Sequence, residues 1–315
     1  MQHPKRSQYK YTKKLYRIGN WAMYEAGLRS RGDLTIWLSE GAIHGWRAAG
    51  RRKPGGQKLY TNLAIETALT LRAVYHLPLR QLEGFLQSVF SMIGVHLPVP
   101  DHTTLSRRGR ALGKLPLRPK MVKGPVHILI DSTGLRVHVG QSCIPPKHRS
   151  WRKLHLAVDR DSGKILAAEL SSRKTHDSTR VPKLLGQLDG RVASACADGA
   201  YDTDAVYEAI RVRGSAARVR VLIPPKRNAR VRPDAPPERN RNIRAITRLG
   251  RRAWYRLSGI NERERIENVF YRYKAILGRE MRARTLAGQQ VEARIGAKLL
   301  NTMASLGMPD SYRVA

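Results

Sequence analysis

Two aspartates and a group of glutamates are the residues of this chain best placed to do chemistry. Asp131 closes the apolar run VHILID, with Ser132, Thr133 and Gly134 behind it. Asp198 closes a second run, Val192–Cys196, within ADGAYD. Glu262, Glu264 and Glu267 follow in NERERIENVF. Carboxylates are the hard oxygen ligands that magnesium and manganese take. Two such ions about 3.5–4 Å apart clamp the attacking and leaving oxygens of a phosphoryl displacement. The least a protein must supply is one bridging carboxylate and one on each flank. Asp131 suits the bridge, Asp198 one flank, and Glu267 on a later helix the other, with Glu262 and Glu264 competing for that place. Each has an ordinary alternative: Asp131 and Asp198 sit in turn signatures, where aspartate bonds nearby amides, and a helical glutamate is usually solvated.

The elements that must position these groups are strands first. Val126, Ile128 and Ile130 are β-branched and alternate, predicting a buried strand that turns after Asp131; Leu135, Val137 and Val139 predict a second. Leu154, Leu156 and Val158 alternate next, and ILAAEL returns after DRDSGK, which completes an antiparallel meander. A helix from THDS to Leu188, the strand ending at Cys196, a helix through Val206 and Ile210, and the strand VRVLI follow. A meander succeeded by alternating strands and helices is the order of a ribonuclease H-like α/β fold, a mixed sheet flanked by helices, with ligands at the carboxyl ends of strands. His155 is read as structural, and Cys196 as a small buried hydrophobe. Residues 226–256 hold eleven Lys/Arg and read as a basic insertion or long loop, where Trp254 and Tyr255 either pack or stack on a base. Helices at about 261–278 and 286–306 close the domain, placed at 126–306, and 307–315 reads as a tail.

Before it, residues 1–116 read as helical: 33–48, 61–76, 79–93 and 101–112, with a linker at 117–125. The last two helices resemble a helix-turn-helix whose second member offers Arg107, Arg108 and Arg110. Residues 1–17, including Lys13 and Lys14, read as a basic arm.

Lys plus Arg number 59 against 24 Asp plus Glu in 315 residues, a net charge of +35. Such self-repulsion calls for a polyanion, and nucleic acid is the leading partner. No apolar run reaches the roughly 18–20 residues of a spanning helix, and the basic start lacks a signal peptide's apolar stretch. Cys143 and Cys196 make neither a disulfide framework nor a CxxC pair. A cytoplasmic, nucleoid-associated protein is expected. Absence of HExxH and of a GxxxxGK[ST] loop argues against zinc hydrolysis and nucleotide-driven work.

The chain resembles a DDE transposase of a bacterial insertion sequence, of the group usually called family five. LIDSTGL (129–135), WRKLHLAVD (151–159), THDS (175–178), ADGAYD (197–202) and RERIENVFYRYKAILG (263–278) carry the likeness. The family's motif in the last is Tyr, two residues, Arg, three residues, Glu, six residues, Lys; Arg263, Glu267 and Lys274 match, and Ile260 stands at the Tyr position. The resemblance implies that Asp131, Asp198 and Glu267 hold two Mg²⁺ or Mn²⁺ ions and that Arg263 and Lys274 contact DNA phosphate. It also implies that the all-α N-terminal region binds terminal inverted repeats of double-stranded DNA. The implied reaction is hydrolysis at the element's ends and attack of the freed 3′-hydroxyls on target DNA, by a homodimer or larger assembly. Alternatives from the residues alone are a non-catalytic DNA-binding regulator, an inactivated relative, or a plain ribonuclease H-like nuclease.

Overall fold

The computed structural model describes residues 15–49, 59–113, 115, 117, 124–137, 151–214 and 219–314. Lys13, Lys14 and Cys143, with the basic arm up to residue 14, lie outside the described residues. The chain opens with strand β1 (Leu15–Ile18) and helices α1 (Trp21–Ser30), α2 (Leu34–Trp37), α3 (Glu40–His44), α4 (Asn62–Val74), α5 (Leu79–Met92) and α6 (His102–Leu112). The sheet strands β2 (Val126–Val137), β3 (Trp151–Asp159) and β4 (Ile165–Ser172) follow, then α7 (Val181–Gly186), β5 (Val192–Cys196), α8 (Asp204–Val212) and β6 (Arg220–Leu222). The rest is α9 (Pro237–Leu249), α10 (Arg251–Ser258), α11 (Glu264–Leu277), β7 (Glu280–Met281), α12 (Leu286–Ser305) and β8 (Ser311–Val314). None of these helices is long and apolar enough to cross a membrane.

The main sheet runs β4-β3-β2-β5-β6, with β7 beside β2. β2, β3 and β4 are antiparallel; β5 and β6 run parallel to β2. That is the ribonuclease H-like mixed sheet. Alternation splits the strand side chains between two cores. Ile128 and Ile130 face α7 and α8, with Val181, Leu184, Val206 and Ile210. Leu129, Leu135, Leu154 and Leu156 face the other way, in one core with α4 to α6, α11 and α12. The layers are helix, sheet, helix.

Four expectations change. The predicted turn after Asp131 is absent: β2 continues to Val137 because β3 pairs with it as far as Arg136↔Trp151. Gly134 is there for close approach, since a Cβ would meet the Trp151 ring at 3.2 Å. The basic stretch at 226–256 is not a loop throughout, for it forms α9 and α10. The predicted helix at 33–48 is two short ones, and the 307–315 tail contains β8, which pairs antiparallel with β1.

Both outer strands are covered by amide side chains. The Asn301 amide on α12 accepts from Ile165 N at 2.7 Å and donates to Ile165 O at 2.7 Å on β4. The Asn242 amide on α9 donates to Val221 O at 2.9 Å on β6. Exposed strand edges invite pairing with other chains, and these contacts occupy part of each edge while anchoring a helix.

Candidate active site

β5 pairs with β2 only as far as Leu129↔Cys196, and β7 joins it only from Arg136. Between them β2 has no strand on that side, and Asp131 lies in this opening. Asp198, two residues beyond Cys196 as Asp131 is two beyond Leu129, stands at its rim. Crevices of this kind, where neighbouring strands part, are where open α/β sheets bind ligands. Asp131 shares its face with Leu129 and Leu135, the face on which α11 packs through Ile266, Val269, Phe270 and Tyr273.

The partners of each group define the site. Asp131 Oδ1 accepts the Ser132 N–H at 2.8 Å, and Oδ2 accepts from Arg263 Nη1 at 2.6 Å. The same guanidinium reaches Glu267 Oε1 through Nη2 at 3.4 Å. Asp198 accepts the Ala200 N–H at 2.8 Å, capping a short 3₁₀ turn, as its turn signature allowed. Burial pushes the Asp131 carboxyl above the ordinary range, and the charges of Asp198 and Glu267 push it further. The Ser132 N–H and Arg263 pull the other way. Asp131 therefore feels the charges of Asp198 and Glu267, although the three come from separate stretches of chain.

α11 presents its polar groups along one stripe. Arg263 immediately precedes it, Glu267 is in its first turn, where a negative charge meets the positive end of the helix, and Lys274 is near its end. Lys274 Nζ donates to Thr133 Oγ1 at 2.6 Å, on the same strand as Asp131. Burial and Arg279 lower the Lys274 pKa. Ile260, at the position where the resemblance has Tyr, is buried in the shared core at 3% exposure. Here the chain has an apolar anchor for the turn that carries Arg263.

The N-terminal candidates are placed differently. Arg107 and Arg110 are exposed on α6. Arg108 turns inward, bonding the Tyr60 carbonyl and, at 2.9 Å, Asn62 Oδ1. α6 itself is wedged by Leu105, Gly109 and Leu112 into the helical layer. Trp254 is 4% exposed and packs edge-on against Tyr255, so it belongs to the core and not to a base-stacking surface. Burial pushes the Cys196 thiol up to about 11, in keeping with its reading as a hydrophobe.

Sequence reasoning missed a polar cluster on the reverse face of β2 and β3. Lys153 Nζ donates to Asp177 Oδ1 at 2.8 Å and Ser132 Oγ to Asp177 Oδ2 at 3.1 Å. The fully buried His155 bonds Ser171 Oγ at 2.7 Å. The signal was present: Asp177 lies in THDS and Lys153 and His155 in WRKLHLAVD, which carry the resemblance without an assigned role.

Residues 122–302 match a family model described as a transposase DDE domain, and residues 29–140 match a second model of the same description. The first alone spans more than half of the chain. The chain belongs to the DDE transposase family. It is also loosely similar to a piggyBac transposase solved by cryo-electron microscopy as a synaptic complex with hairpin DNA. The identity is 9%, over 91% of this chain and 76% of that one, with a TM-score of 0.36.

Members of this family generally use divalent metal ions. The donors present fit one chemically: Asp131, Asp198 and Glu267 are oxygen ligands around one crevice, and their mutual repulsion is relieved by a cation. Among the described residues, however, no three such groups converge closely enough to hold a metal ion. The cation between Asp131 and Glu267 is the Arg263 guanidinium.

Proposed function

We propose that this transposase cuts DNA at the ends of a mobile element and joins the freed 3′-hydroxyls to target DNA, with Asp131, Asp198 and Glu267 as the catalytic carboxylates. The observation that carries the reading is geometric: one Arg263 guanidinium reaches both Asp131 and Glu267, beside the opening in the sheet at whose rim Asp198 stands. They would hold two Mg²⁺ or Mn²⁺ ions. Such ions, when bound, lower the pKa of an attacking water or hydroxyl and neutralise charge on the phosphoryl group. Arg263 is a bidentate donor suited to phosphate, and Lys274 a point charge held at the rim by Thr133. Arg107, Arg110 and the arm bearing Lys13 and Lys14 would bind the duplex of the terminal repeats, with Arg108 helping mainly to hold α6 in place. Joining two ends requires at least two protomers.

The test uses a plasmid carrying the element's own ends. Asp131→Ala is expected to abolish Mg²⁺-dependent cleavage while leaving binding to end DNA intact. Cleavage that survives in this variant removes the assignment. Pre-cut ends that fail to join a target plasmid, with cleavage intact, would make the protein a nuclease instead.

A further inference from the structure

The arginines of α9 divide into two kinds. Arg239 in its first turn is paired with Asp202 at 3.0 Å, and Arg232 just before the helix with Asp204 at 2.5 Å. Arg241, Arg244 and Arg248 are exposed and make no ion pair or side-chain hydrogen bond among the described residues. They recur at steps of three and four, so they form one stripe. The groove they border, about 500 Å³, is walled by Pro233, Ala235, Pro237 and Asn240 and has no carboxylate in its lining. Like charges at these spacings weaken a helix. The inner face must therefore hold α9 in place, and Asn242 and Ile243, both buried, do so against β6.

The first turn of α9 is tied to the loop that carries Asp198. Arg239, two residues before Arg241, is tied to Asp202, which shares the ADGAYD loop with Asp198. Seven residues of helix cover about 10 Å, roughly the axial rise of three nucleotides of one strand. Resting on the reading of DNA as the substrate, we propose that α9 is a phosphate-tracking surface. In this role Arg241, Arg244 and Arg248 hold the backbone of duplex DNA on the Asp198 side of the cut, whatever its sequence.

Each phosphate neutralised by a cation steepens the dependence of log K on log salt concentration by about 0.9. The experiment measures binding of the full-length protein to a random duplex and to one carrying an element end, between 50 and 300 mM salt. Arg241→Gln/Arg244→Gln/Arg248→Gln is expected to flatten the slope by roughly 2.7 for both duplexes, while the triple Lys variant keeps it; circular dichroism confirms that each variant folds. A Gln variant with the wild-type slope overturns the proposal while leaving the catalytic reading untouched. Wild-type protein without salt-dependent duplex binding overturns both. A flattened slope for the end duplex alone overturns the claim of sequence independence.

Discussion

Removing Arg263 should make the protein bind divalent ions more tightly. Its guanidinium holds Asp131 Oδ2 at 2.6 Å and approaches Glu267 at 3.4 Å, so in DNA-free protein it competes with an ion for the same oxygens. A hydrogen bond between charged partners is worth about 1.5–3 kcal/mol net, and about 1.4 kcal/mol is a factor of ten in affinity. Arg263→Gln should therefore raise Mn²⁺ affinity by roughly tenfold to a hundredfold. The assay is calorimetric titration with Mn²⁺ at pH 8, with free Mn²⁺ followed by electron paramagnetic resonance. Asp131→Asn is the control that should abolish the gain. Equal or weaker binding by Arg263→Gln would refute the competition. If phosphate draws the arginine away, duplex DNA should raise the affinity of the wild type and leave Arg263→Gln unchanged.

Two further outcomes follow from packing and burial. Burial pushes His155 down to about 4, against the pull of Asp177 and with the charges of Lys153 and Arg180. The unfolded chain takes up a proton near pH 6.5, before the folded one does. Stability is thus full above that pH and declines as the pH falls towards 4, by at most about 3 kcal/mol from this residue. Urea midpoints of His155→Gln should fall less steeply over that window, and parallel profiles would contradict the reasoning. Gly296 of α12 lies against α11, where a Cβ would meet Leu277 Cδ1 at 2.6 Å and the Tyr273 ring at 2.9 Å. Gly296→Val should cost about 1–3 kcal/mol in denaturant melts and slow cleavage as well, because α11 carries Glu267 and Lys274. Loss of stability with cleavage unchanged would show that α11 needs no such close support.

The sheet was legible because alternation of Leu154, Leu156 and Val158 in β3, and the β-branched Val126, Ile128 and Ile130 of β2, report burial directly. The sequence misled where a residue had a second use. Ser132-Thr133-Gly134 reads as a turn, yet Thr133 receives Lys274 and Gly134 makes room for the Trp151 ring. α9 was hidden because its buried face includes Glu238, Asn240 and Asn242, so hydrophobic periodicity does not mark it. Asp131 and Asp198 stood out as carboxylates at strand ends. Glu267 did not stand out from Glu262 and Glu264 until the spacing of Arg263 and Lys274 selected it. The Arg263–Asp131 contact joins residues 132 positions apart, and no local pattern encodes it.

Whether three carboxylates act as one centre is best measured by single-turnover cleavage of end DNA by Asp131→Asn, Asp198→Asn, Glu267→Gln and the triple variant. Groups that work as a unit are strongly non-additive. Each single change is expected to bring the rate within about tenfold of the triple variant, with end binding preserved. Losses that multiply independently, or a single variant that cleaves at the wild-type rate, would contradict a shared catalytic centre.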